Sequence, residues 1–126
     1  DPDLAMANNH AEGAHPLYRN GLDAVRRGRG LSLVVVDADG RHTRAGATVI
    51  VRRTGDGFTT ARLVDTGGGY SSQGAAPVHV ALPEGNGPID IEVVWFEGGA
   101  RRTHLLTGVP VTGNASSRVL VRAAAR

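Results

Sequence analysis

A chain of 126 residues is about one domain, long enough to bury a core unaided, and with no cysteine it excludes disulfides and thiolate metal sites. Its 14 basic residues, all arginine, meet 12 acidic ones for a net charge of +2, and acids beside many of the arginines argue against a nucleic-acid groove. No apolar run approaches the roughly 20 residues that cross a bilayer as a helix, so no membrane partner is expected.

Residues 1–29 differ in character from the rest. "DPDLAMANNHAEGAHPLYRNG" is polar, with one short apolar strand from Leu4 to Ala7, and it reads as an irregular N-terminal extension packed along the remainder of the chain. The Gly- and Arg-rich "DAVRRGRG" is the junction, with room for at most one helical turn between its glycines. The chain opens without an initiator Met and reads as a piece of something longer.

From residue 30 to 126 the pattern is that of strands separated by Gly, Pro and Asp. "LSLVVVD" is apolar on both faces from Leu33 to Val36, as a strand at a sheet centre would be. "DADG" supplies a hairpin turn. "GATVIVRR" sets Ala47, Val49 and Val51 on one face and Thr48, Ile50 and Arg52 on the other. "TGDG" closes a hairpin into "FTTARLVD". "PVHVALP" turns Val78, Val80 and Leu82 inward and His79 outward. "PIDIEVVWF" lines Ile89, Ile91, Val93 and Trp95 on one face against Asp90 and Glu92 on the other. "EGG" then turns into "ARRTHLLTGVPV", and "SSRVLVRAA" ends the chain. Strands of this length with turns every 8 to 12 residues predict an all-β fold, a single antiparallel β-sandwich.

The connection "TGGGYSSQG" is too long for a tight hairpin. A phosphate cradle would need a lysine and a following helix, and neither is present. Two readings remain. In one, the glycines permit positive φ while Tyr70, Ser72 and Gln73 serve the loop's own packing and hydrogen bonds. In the other the loop holds a ligand, with Tyr70 stacking, Gln73 reading polar groups, Gly69 and Ser72 beside them, and His79 and Trp95 completing the site. A triad of Ser71 or Ser72 with His79 and Asp90 lacks a G-x-S-x-G elbow, so the chain itself is expected to be non-catalytic. His10 and His15 around Glu12 lack a metal-binding spacing. "DADGR" begins like a calcium loop but lacks its later ligands. "NAS" at Asn114 fits a glycosylation acceptor, which in a bacterial protein would be only a turn. Arg26, Arg27 and Arg29, and Arg101 with Arg102, have no interleaved aromatics and read as solvated or interdomain faces. No cofactor is expected.

"AGATVIVRR", "GGGYSSQ", "VHVALP" and "IDIEVVWFEGG" together resemble the ASPIC/UnbV domain. That family's pattern is a G-A-x-V-x-V strand, a Gly-rich Y-x-S-Q segment, a His-x-x-Leu strand and a V-x-W-P-x-G hairpin. "PDLAMANN" and "PLYRNG" resemble the end of the FG-GAP type β-propeller blade that usually precedes it. The resemblance runs from about Asp3 to about Val111. Two departures stand out. Trp95-Phe96-Glu97-Gly98 lacks the proline of W-P-x-G, which predicts a looser hairpin, and Ala81-Leu82-Pro83 replaces Gly-Leu-Gly.

The resemblance implies an upstream β-propeller of the same protein as partner. Asp1 and Asp3 would be the tail of a calcium-binding D-x-D loop, too few carboxylates to hold the ion alone. Relatives occur in enediyne antibiotic cassettes of actinomycetes and in secreted animal cartilage acidic proteins, and the arginine-only, Ala- and Gly-rich composition favours the bacterial branch. Three functions are implied: a non-catalytic binding module tied to enediyne biosynthesis, with a polyketide-derived enediyne as small-molecule ligand; part of an enzyme or processing factor on such an intermediate; or an extracellular adhesion or carbohydrate-binding module. Cytoplasmic and exported locations both stay open.

Overall fold

The computed structural model describes residues 4–7, 12–21, 29–67, 77–85, 87–111 and 117–124, and among these no helix occurs. Two short strands, β1 (Leu4–Ala5) and β2 (Leu17–Tyr18), pair antiparallel as a separate ribbon. Seven further strands make two sheets: β3 (Arg29–Val36), β4 (Thr48–Arg53), β5 (Thr59–Leu63), β6 (Pro77–Leu82), β7 (Ile89–Glu97), β8 (Ala100–Val109) and β9 (Ser117–Arg122). One sheet runs β6-β3-β9 and the other β5-β4-β7-β8.

Alternation along each strand decides what is buried. Val49 and Val51, then Ile89, Ile91 and Val93, are fully enclosed from one sheet, and Leu31, Leu33, Val35, Val80 and Val121 meet them from the other. Burying one such side chain is worth about 1.5–3 kcal/mol, so this layer is the main stabilising term. β3 sits between two partners and is apolar at consecutive positions because both of its faces are covered; Val34 and Val36 are buried as well. The fold is the expected all-β sandwich with mainly antiparallel pairing. One addition is the parallel pairing of β3 with β9, Leu31 opposite Ser117 through Val36 opposite Arg122.

Three local expectations are corrected. The "DADG" turn forms, with Gly40 N donating to the Asp37 carbonyl, but it leads from β3 in one sheet to β4 in the other and closes no hairpin. The β7–β8 hairpin is tight without its proline. Glu97 pairs with Ala100 across a two-residue loop, Gly98 and Gly99 at φ of 59° and 78°, the geometry that matches strand twist. The N-terminal ribbon does not bury its apolar side chains on the sandwich, since Leu4, Met6, Leu17 and Tyr18 are all more than half exposed.

Candidate functional site

Register places one set of chain ends together. Val36, Thr48, Leu63, Pro77, Trp95 with Glu97, Ala100 and Arg122 all lie at the same end of the sandwich, because Val34 pairs with Pro77, Thr48 with both Leu63 and Val94, and Val36 with Arg122. The long Gly-rich connection therefore leaves and returns at this end. Its departure is fixed by the backbone: Gly46 N donates to Val64 O at 2.9 Å, and Val64 N to Ala47 O at 2.8 Å, prolonging the β4–β5 ladder. The Asp65 carboxylate then accepts the Gly67 N–H at 2.9 Å, a local turn that competes with further strand.

Trp95 anchors the same end. It is only 4% exposed, and the Arg44 guanidinium lies 4.9 Å above its ring centroid. Arg44 also donates from Nε and Nη2 to the Ala123 carbonyl, at 3.2 and 3.0 Å, and from Nη1 to Glu97 Oε1 at 3.3 Å. Glu97 Oε2 takes the indole N–H at 3.5 Å. A planar cation between an aromatic face, a carboxylate and a strand-terminal carbonyl ties β7, the β3–β4 connection and the end of β9 into one unit. Beside it, Asp37 accepts backbone N–H groups of Arg41 and Asp39 and the Thr43 hydroxyl. The Arg41 N–H, followed by the Thr43 hydroxyl, holds the Asp37 carboxyl below its ordinary range.

The sequence-predicted residues do not all meet. Gly69, Tyr70, Ser72 and Gln73, with Ser71, lie outside the described residues, as do Asp1, Asp3, His10, Arg26, Arg27 and Asn114. His79 is exposed on β6, opposite Ser32, and points away from the core. Trp95 points into the core from the other sheet, so the two are not brought together. Asp90 lies on the outward side of β7 and accepts the Gly108 N–H at a bulge in β8. His79 and Asp90 thus occupy opposite outer faces of the sandwich, and no proton relay joins them. His15 and Glu12 are exposed, and among the described residues no three His, Asp or Glu side chains gather as a metal site.

Sequence reasoning missed Arg44 and Arg53. Arg53 is buried at the opposite end, where it donates to Asp56 Oδ2 at 2.7 Å and to the carbonyls of Glu84 and Pro83, with Phe58 against its guanidinium. Its place was readable, since Ala47, Val49 and Val51 make residue 53 the next inward position. Arg44 left no comparable signal.

What these elements define is an all-β sandwich module with its longest connection mounted on a braced end. The sequence pattern of the family "ASPIC and UnbV" matches residues 38–115, well over half of the chain. The chain belongs to that family. No curated protein and no solved structure matches it significantly.

Proposed function

We propose that this chain is a non-catalytic interaction module, and that the segment containing Tyr70, Ser72 and Gln73 is its reading element. The supporting observation is the anchoring of that segment: Val64 and Pro77, its flanks, stand on paired strands at the end braced by Arg44, Trp95 and Glu97. A long connection on a rigid scaffold is where binding residues are usually carried. Asp37, Asp56 and Asp90, by contrast, are engaged by backbone N–H groups or by Arg53, and His79 and Asp90 stand on separate faces. In its fuller form the reading makes the module part of a propeller-containing protein of enediyne biosynthesis, with the propeller as intramolecular partner and a polyketide-derived intermediate as ligand. The sequence motifs and the arginine-only composition support that form.

The chain's one tryptophan is Trp95, so fluorescence reports this end of the sandwich alone. Titration with a linear conjugated polyene, a surrogate for a polyketide intermediate, is expected to change Trp95 emission and the amide NMR signals of residues 64–76. Tyr70→Ala should weaken binding roughly tenfold or more, as loss of an aromatic anchor does, while His79→Ala leaves it unchanged. Signals confined to other parts of the chain, or full affinity in Tyr70→Ala, would reject the reading.

A further inference from the structure

Among the described residues the β6-β3-β9 sheet has three strands and the sheet packed on it has four; β5 stands against β6, which leaves the unfilled place beside β9. By register, Arg102, His104, Leu106 and Val109 of β8 face the same side as Trp95, Val93, Ile91 and Ile89 of β7. The β7 side chains are buried, whereas His104, Leu106 and Val109 are half-buried and Arg102 is exposed. Leu106, Val109, Val111 and Val119 pack against the core with one side still open. Together they form an apolar ledge along β8, walled by β9.

That wall is a sheet edge. Ala123 N donates to Val36 O, so alternation turns Val119 and Val121 toward β3 and the backbone groups of Arg118, Leu120 and Arg122 outward. The Arg122 carbonyl accepts from Ala124 N, and no described strand pairs with the remaining outward groups. Charge is one-sided as well. Neither β8 nor β9 contains a carboxylate, and Arg102 and Arg122 form no ion pair among the described residues. Glu97, at the same end, is already bound by Arg44. A second copy is a poor occupant, because β5, β6, β8 and β9, the edge strands of both sheets, carry no acid at all.

We propose that this ledge and edge bind an extended segment of a partner protein, added antiparallel to β9 as a fourth strand. Its alternate residues are apolar and meet Leu106, Val109 and Val119, and a carboxylate at its N-terminal end meets Arg102. Main-chain pairing supplies affinity and the alternate side chains supply selectivity. The antiparallel direction is favoured by its slightly better hydrogen bonding. Strand addition at β9 does not depend on what the Tyr70 segment binds.

A positional-scanning octapeptide library presented to the intact chain is expected to enrich Val or Ile at alternate positions and Asp or Glu at the first two. The best peptide should shift and slow the exchange of the Leu120 and Arg122 amides. Leu120→Pro removes an outward N–H while sparing the β3 ladder, and it should reduce affinity at least tenfold with the fold retained by circular dichroism. Arg102→Glu should weaken the acidic peptide roughly fivefold and turn preference toward a lysine-ended one. If Leu120→Pro unfolds the chain, that charge reversal decides alone. Enrichment without alternation, amide shifts on the β5–β6 side, unchanged binding in Arg102→Glu, or a concentration-dependent dimer that protects β9 without peptide would each overturn the proposal.

Discussion

Arg53 shows how one side chain can hold an end of the sandwich. Its guanidinium satisfies Asp56 and two carbonyls of the β6–β7 connection, and its side chain is 2% exposed while that of Asp56 is 39% exposed. Arg53→Ala leaves those acceptors unmet and opens a void beside Phe58. A loss of about 2–3 kcal/mol is expected in chemical denaturation, below the figure for a fully buried pair because Asp56 reaches water. Gly85, at φ 149°, belongs to the same unit: a Cβ there would run into the Arg53 guanidinium. Gly85→Ala should therefore destabilise as well, and the two substitutions should be less than additive. Asp37 gives a pH signature. Its folded carboxyl titrates below the unfolded value of 3.8, so the stability it lends is complete above that pH and is lost as the pH falls through the folded pKa. Asp37→Asn should be less stable than the parent at pH 7 and converge with it in acid, as followed by thermal melts across pH.

Strand faces were legible in the sequence because alternation is a local property. The inward sets of β4, β6 and β7 stand as the pattern implied, and the same parity would have placed Arg53 inward had it been carried one step further. Strand partners were not legible, since alternation says which way a side chain points and nothing about its neighbour strand. That is why "DADG" read as a hairpin although it crosses between sheets. The β7–β8 turn was misjudged for a different reason. The lost proline implies a looser turn, whereas the two glycines supply the positive φ that a two-residue loop requires. Gly98→Asn should be nearly neutral, because asparagine tolerates that region, and Gly99→Val should cost about 1–2 kcal/mol in denaturation. Of the candidate site, the braced platform is visible in the structure through Arg44, a residue with no periodic context to mark it.

The molecule as a whole is larger than its family signature. Residues 38–115 omit β3 and β9, and without them β6 loses its strand partner and Val49, Val51 and Ile91 lose the layer that covers them. A fragment of residues 38–115 should therefore show no cooperative thermal transition, while residues 29–124 should melt as one unit in calorimetry. The parallel pair also has a mechanical consequence. The chain enters the sandwich at the Arg29 end of β3 and leaves at the Arg122 end of β9, and these strands lie side by side pointing the same way. Tension between the two exits then pulls adjacent strands in opposite directions along their length, so the hydrogen bonds between them are loaded together in shear. Single-molecule stretching through the termini should meet a markedly higher rupture force than stretching between Thr54 and Gly87, which sit at the same end of the adjacent strands β4 and β7 and peel that pair from one end. A module built in this way can transmit a pull between attachments made before β3 and after β9 without opening.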